Sequence, residues 1–267
     1  MTGSRSTQTD GRSLPIWAFL VIVVVYLAII QGVGLGVKDW ADLADDKMLS
    51  VRDVLISMWI PLGLALLFTY GVVTALGWWR PVLRDDRPVQ RWVWFLPALF
   101  VVSILASTSY SNLSERGIGF TLALLVATQF VGWGEEGMFR GLGVVTLRRH
   151  PLTEGQVALW SSIIFGAVHL TNVIGRGASA LPQAIMVSLA GYFFYLIRRV
   201  SRGNVVNSVL HGLFDFSILT TTAIVADPKG SAALAAPILV YLIGGIVLLV
   251  RRHHIELEAL PAASATG

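Results

Sequence analysis

The sequence contains no cysteine, and only 13% of its residues are charged. The absence of cysteine excludes disulfides, a thiol nucleophile, thiolate metal ligands and palmitoylation. The scarcity of charge, together with a hydrophobic share of 55%, argues against a soluble fold, because so few polar residues could not cover that apolar surface. We therefore expect an integral membrane protein. Its basic residues lie in short clusters between apolar segments, as membrane topology signals do, so we expect no binding of nucleic acid.

The apolar segments are long and continuous rather than short and alternating. In lipid the backbone must satisfy its own hydrogen bonds, and continuous segments of this kind do so as helices rather than as barrel strands. We predict an all-α polytopic transmembrane helical bundle of about eight helices, the fourth of which is longer and either bends or projects from the membrane. The predicted spans are 15–35, 54–79, 92–111, 118–147, 156–173, 180–199, 204–226 and 233–250.

The chain is expected to form a single membrane domain over residues 15–254. A polar cytoplasmic tail, 1–14, precedes this domain, and an alanine-rich tail, 255–267, follows it. The first apolar segment is long enough to span the membrane and lacks a clear cleavage site, so it is interpreted as an uncleaved helix.

The arginines alternate with the predicted crossings. If the N-terminus is cytoplasmic, the inner segments contain Arg5, Arg12, Arg80, Arg84, Arg87, Arg91, Arg148, Arg149, Arg198, Arg199, Arg202, Arg251 and Arg252. The outer loops contain few cations, and nearby aspartates offset several of them. This bias follows the positive-inside rule and predicts a multi-pass protein of the cell membrane with both termini in the cytoplasm.

Ionisable side chains inside the predicted spans point to function, because each costs about 2.5–3.5 kcal/mol to insert. They are Glu135, Glu136 and Arg140 on the fourth helix, His169 on the fifth, and His211 and Asp215 on the seventh. Glu136 and Arg140 are four residues apart and can pair, a spacing more typical of structure than of chemistry. Glu135 lies about 100° around the helix without such a partner, so its carboxylate can face a cavity.

These groups suffice for hydrolysis of an amide by water. Glu135, with His169, would take a proton from water, while His211 and Asp215 would stabilise the oxyanion. The rise per residue along each helix is consistent with one shared site in the cytoplasmic half of the membrane, given helix tilt. The sequence has no serine-nucleophile turn and no HExxH zinc helix.

Three motifs resemble one known family. Glu135 to Arg140 fits EExxxR, Phe165 to His169 fits FxxxH, and His211 to Asp215 fits HxxxN/D. In this order on successive helices, they resemble the CAAX protease and bacteriocin-processing (CPBP, or Abi) family over residues 118–226. The resemblance implies a metal-independent intramembrane glutamic endopeptidase without cofactors. Together with the depth of these groups, it predicts cleavage of a membrane-associated peptide or protein near the cytoplasmic side.

The resemblance also implies roles for the matching residues. Glu135 becomes the base, His169 its helper, and His211 with Asp215 the oxyanion pair, with Glu136 a further catalytic candidate and Arg140 and Phe165 in support. The family often has asparagine where this chain has Asp215, and a carboxyl group can donate a hydrogen bond only when it is protonated.

Three alternatives stay open at this point. Glu135, His169 and His211 could bind zinc in a metalloprotease with a fourth open position. The chain could instead be a non-catalytic bacteriocin-immunity or scaffold protein that keeps the fold. Buried acids of this kind could also serve a transporter or a proton pathway.

Overall fold

The computed structural model describes residues 13–43, 48–173, 177, 180–224 and 235–257. Most of the two predicted tails, residues 1–12 and 258–267, lies outside the described residues. Across the described ranges the chain is helical, and two isolated backbone bridges, Arg84–Gly203 and Val89–Glu256, are the strand-like pairings. The prediction of an all-α helical bundle is confirmed.

Eight main helices follow one another along the described chain. They are α1 (Ile16–Trp40), α2 (Val51–Leu76), α3 (Arg91–Ser107), α4 (Tyr110–Arg148), α5 (Glu154–Val168), α6 (Ala180–Val200), α7 (Asn204–Thr222) and α8 (Ala235–Val250), with a short helix, Trp79–Leu83, after α2. By length and composition, α1, α2, α4 and α6 could each cross a membrane, while α3 and α8 are shorter apolar helices. These features fit a helical membrane protein, and eight crossings stays a prediction.

The fourth helix is interrupted twice. At Gly117 the backbone has φ +81°, in the left-handed region that favours glycine, so the long helix bends there. Further along, Glu136–Gly143 is wound as a π-helix. Insertions of this kind re-aim side chains and are frequent at functional sites. The second break falls on the EExxxR motif.

Helices α4 and α7 pack against each other at two glycines. A Cβ atom on Gly132 would lie 2.2 Å from the carbonyl oxygen of Ser208, and one on Gly212 would lie 2.5 Å from the Gln129 side chain. Only glycine permits so close an approach, as in other small-residue contacts between membrane helices. This contact places the EExxxR motif beside His211.

The bundle has two distinct ends. At one end, Met48 donates its backbone N–H to Ala223 (3.0 Å), and the Arg52 guanidinium donates to the carbonyl oxygen of Ala41 (3.0 Å). The other end, which we call the basic end, joins the short helix, the α4–α5 and α6–α7 turns and the segment after α8. The arginines there are Arg80, Arg84, Arg87, Arg91, Arg148, Arg149, Arg198, Arg199, Arg202, Arg251 and Arg252.

A buried carboxylate ties the basic end together. Asp85 accepts hydrogen bonds from Arg148 (2.8 Å) and from Arg198 (2.8 Å), which connects α4 with α6. Burial raises the pKa of the Asp85 carboxyl, but the guanidiniums of Arg198 and Arg148 lower it by more, so this pKa lies below its ordinary value. Asp85 is therefore ionised, and it stabilises this end of the bundle.

Replacing Asp85 with asparagine is expected to lower the free energy of unfolding by about 1.5–3 kcal/mol at neutral pH, the usual contribution of hydrogen bonds to charged groups. A carboxyl whose folded pKa is lowered stabilises the fold above its unfolded pKa, and that contribution is lost as pH falls through the folded pKa. The stability difference between wild type and Asp85→Asn should therefore begin to shrink below about pH 4 and vanish below the lowered folded pKa of Asp85.

Thermal unfolding in detergent, repeated from neutral to acidic pH, measures this convergence. Asp86→Asn is the matched control, because Asp86 is the adjacent aspartate and is exposed. A difference between wild type and Asp85→Asn that stayed constant over the whole pH range would contradict the assignment.

Candidate active site

Glu136 is fully buried and has three partners. Its Oε1 atom accepts a hydrogen bond from Nδ1 of His211 (2.8 Å) and lies 3.3 Å from the Arg140 guanidinium. Its Oε2 atom accepts from the side-chain amide of Asn207. The predicted Glu136–Arg140 pair is present, and the same carboxylate also fixes the imidazole of His211.

His211 presents its second nitrogen to the cavity. Because Nδ1 contacts Glu136, Nε2 faces two further carboxylates, Oε2 of Glu135 and Oδ2 of Asp215, each at 3.7 Å. The ring of Phe194 stacks on the imidazole, with centroids 4.5 Å apart and an interplanar angle of 14°. The imidazole is thus held by a hydrogen bond at one edge and by an aromatic face.

Glu135 differs from Glu136 in exposure, although the two are adjacent. The side chain of Glu135 is 16% exposed and that of Glu136 is 0% exposed. Glu135 also faces the cavity, whereas Glu136 points into the protein. A buried, paired carboxylate and a neighbouring carboxylate that water can reach are suited to different tasks, the first to positioning and the second to acid–base chemistry.

Phe165 lies in the last turn of α5, and His169 follows that helix directly as the first residue of a 3-10 turn, His169–Asn172. Nδ1 of His169 lies 2.8 Å from the carbonyl oxygen of Phe165, a bond in which the ring nitrogen must donate. Nε2 is therefore left as the acceptor. The Phe165 ring packs against His169, with centroids 4.9 Å apart, and the Arg140 guanidinium lies 3.9 Å from the centroid of the same ring. Phe165 thus links two of the predicted motifs.

One cavity of about 890 Å³ receives all four candidate groups. Glu135, His169, His211 and Asp215 line it together. The side chain of Asp215 is 29% exposed, more than those of Glu135 and His211. Three helices that are far apart in sequence thus bring an acid, two imidazoles and a second carboxyl group to one space that can hold water and a peptide.

The zinc alternative concerns the same side chains. Within the described part of the chain, no three His, Asp or Glu side chains form a group that could hold a metal ion. Glu135, His169 and His211 share the cavity, but they do not make such a group. Metal independence stays a prediction for chelation to test.

Sequence reasoning missed three residues that shape the site. Asn207 precedes His211 by one helical turn, and a polar amide inside a predicted membrane span was a usable signal. Gly132 permits the approach of α4 to α7, and Phe194 stacks on His211. Glycines and phenylalanines are common in apolar helices, so nothing in the sequence distinguishes Gly132 and Phe194 from the other residues of their types.

Replacing Asn207 with alanine is expected to lower kcat about tenfold with little change in KM. Without the Asn207 amide, one oxygen of the buried Glu136 carboxylate has no hydrogen-bond donor, which costs about 1–3 kcal/mol. The Glu136 carboxylate then holds His211 less firmly, and the rate falls. Peptide cleavage kinetics across pH measure the effect. Because Asn207 acts through Glu136, the pH profile should change as well as the rate.

Asn112→Ala is the control, because Asn112 bonds the carbonyl oxygen of Thr220 at the far end of α7. A variant at Asn207 that lost stability but kept both its kcat and its pH profile would contradict a positioning role.

Comparison with known families agrees with the motifs. Residues 117–217 match the family described as type II CAAX prenyl endopeptidase Rce1-like. The matched range contains every candidate site residue from Glu135 to Asp215, and it confirms the resemblance that the three motifs predict. No curated protein and no solved structure gives a significant match.

Proposed function

We propose that this protein is a CAAX-type intramembrane endopeptidase that hydrolyses a peptide bond of a membrane-associated peptide or protein. One observation carries the proposal: Glu135, His169, His211 and Asp215 meet around a single cavity inside a helical membrane protein. The match of residues 117–217 to a CAAX prenyl endopeptidase family supports the same activity.

The reaction begins with a water molecule between Glu135 and His169. The Glu135 carboxylate takes a proton from this water, while the acceptor nitrogen of His169 orients it. The water oxygen then forms a bond to the carbonyl carbon of the peptide, whose π electrons move onto its oxygen. General-base catalysis of this kind contributes about 10²–10⁴-fold to the rate.

The resulting oxyanion needs donors close to its oxygen. Nε2 of His211, in its protonated form, would donate to the oxyanion because Nδ1 is fixed on Glu136. Asp215 would contribute a second donor only as the protonated acid. Collapse of the intermediate breaks the carbon–nitrogen bond as Glu135 returns its proton to the leaving amine. The products are a carboxylic acid and an amine, and no metal takes part.

Besides the peptide substrate, we propose the lipid bilayer as a second binding partner of this protein. The outer faces of α1 and α8 expose large apolar side chains, including Val24 (63%) and Ile246 (62%). A soluble protein rarely exposes such continuous apolar surface. We further propose a location in the cell membrane with the arginine-rich basic end, and hence both termini, in the cytoplasm.

The test is cleavage of candidate membrane peptides by the purified protein in detergent, followed by mass spectrometry, with a strong chelator throughout. We expect a defined product from wild type and none from Glu135→Gln. Product that disappears on chelation and returns with zinc would support the metalloprotease alternative. No product with any peptide, together with substrate flux or proton coupling in liposomes, would support a transporter.

A further inference from the structure

We infer that a second, smaller cavity beside Glu135 holds the water that attacks the peptide, and that Tyr26 and Gln31 of α1 position this water. The two residues would join the machinery of the proposed function, on which this assignment rests. Helix α1 lies outside residues 117–217, so the match to the CAAX prenyl endopeptidase family does not extend to Tyr26 and Gln31.

The small cavity has a volume of about 120 Å³, in which several water molecules fit. It lies between α1, α4 and the 3-10 turn that follows α5. Glu135 and His169 line both this small cavity and the large cavity of about 890 Å³. Among the described residues, His211 and Asp215 line only the large one. The small cavity therefore meets the two groups that would activate water, but not the pair assigned to the oxyanion.

Polar side chains separate the two cavities. Four residues line both of them, and each of the four has a hydrogen-bonding side chain: Gln31, Glu135, His169 and Asn172. The side-chain amide of Asn172 is fixed by its hydrogen bond to Gln183 (3.2 Å). Water in the small cavity and a peptide in the large one would thus approach the same carboxylate from different sides.

Helix α1 brings two hydrogen-bonding side chains to the small cavity out of an apolar stretch. Within residues 18–33, only Tyr26 and Gln31 have side chains that contain oxygen or nitrogen. In an ideal α-helix, residues five apart point about 140° away from each other. Gln31, however, lies in a π-helical turn, Ile29–Val33, which changes the direction of side chains, and both residues reach the cavity. Polar side chains inside a membrane helix indicate function.

The hydroxyl of Tyr26 lies against the residue that precedes Glu135. A Cβ atom on Gly134 would be 3.2 Å from this hydroxyl oxygen. The buried ring of Tyr26 packs edge-on against Phe139, with centroids 6.2 Å apart and an interplanar angle of 88°. Packing of the ring therefore gives the hydroxyl a defined position beside the catalytic carboxylate.

A buried water molecule is typically held by about three hydrogen bonds. The Tyr26 hydroxyl and the Gln31 amide can each donate and accept, so they complement Glu135 and His169 around such a water. In the reaction described above, the water proton passes to Glu135 and the water oxygen bonds the peptide carbon. Neither side chain of α1 gains or loses a proton, and a second water of the small cavity replaces the one consumed.

Tyr26→Phe tests this role because it removes the hydroxyl and keeps the ring. We expect kcat for peptide cleavage in detergent to fall about fivefold with KM unchanged, since the water loses a hydrogen bond and the large cavity is untouched. Adding Gln31→Leu should lower kcat further. Tyr195→Phe is the matched control, because it removes a buried hydroxyl that bonds Glu154 at the basic end. It should lower the melting temperature and keep both kcat and KM.

Two filling variants test the separation of the cavities. Of the two cavities, Val168 lines the small one and Met186 the large one. Val168→Phe should displace water and lower kcat about tenfold with little change in KM. Met186→Phe should take space from the peptide and raise KM about fivefold with a smaller change in kcat.

An unchanged kcat in both Tyr26→Phe and Val168→Phe would overturn the inference. A raised KM with an unchanged kcat in Val168→Phe would also overturn it, because the small cavity would then hold part of the peptide. A loss of rate in Tyr195→Phe as large as that in Tyr26→Phe would do the same. Tyr26→Phe alone decides the matter if Val168→Phe does not fold.

Glu135→Gln in the same assay separates this inference from the proposed function. Full activity of Glu135→Gln would remove the proposed mechanism itself. An inactive Glu135→Gln, together with wild-type rates in Tyr26→Phe and Val168→Phe, would leave the protease in place and remove only the water site.

Discussion

Glu135→Gln is expected to lower kcat by about 10³-fold and to leave the melting temperature nearly unchanged. The magnitude is that of a lost general base, since glutamine cannot take a proton from water. The fold should tolerate the change because glutamine has the same shape, and because the Glu135 carboxylate lies 3.7 Å from its neighbour His211 rather than within a hydrogen bond. Its side chain also faces open space in the cavity.

Peptide cleavage in detergent and thermal unfolding of the same preparations measure the two effects. Glu115→Gln is the matched control, since Glu115 is an exposed glutamate at the end of α4 away from the basic end. It should match wild type in both assays. Retention of a large part of the activity by Glu135→Gln would remove Glu135 from the role of base, whatever the fate of the other candidates.

The sequence predicted the groups that meet at the site because they are costly in a membrane. Each of Glu135, His169, His211 and Asp215 interrupts an apolar segment, and helical spacing placed Glu136 on the face of Arg140. The structure brings the first four to one cavity and forms the pair. Their roles remain proposals, but their proximity was predictable from the cost of burying charge.

The remaining features depend on how helices approach one another. The spacing of residues along one helix does not predict that approach. The approach of α4 to α7 depends on Gly132 and Gly212, and the stacking of Phe194 on His211 depends on the position of α6. The π-helical turn at Glu136–Gly143 alters the direction of side chains that ideal helical geometry would assign. The course of the cavity likewise depends on the packing of all these helices.

Glu136→Met is expected to lower the free energy of unfolding by about 3–5 kcal/mol and to abolish most of the activity. Removing one partner of a buried ion pair leaves the other charge uncompensated, which is what makes the single change so costly. Apart from the Glu136 ion pair, the three side-chain nitrogens of Arg140 have no hydrogen-bond partner among the described residues. The same change removes the acceptor that holds Nδ1 of His211.

The double variant Glu136→Met, Arg140→Met separates these two consequences. Replacing both charges with apolar side chains should restore most of the lost stability, because no uncompensated charge stays buried. Activity should stay low, since His211 still lacks its acceptor and Nε2 is no longer aimed at the cavity. Thermal unfolding and cleavage rates of the single and double variants form the test. Recovery of both stability and activity would assign Glu136 to the ion pair alone, whereas recovery of stability alone makes this carboxylate the positioning group of His211.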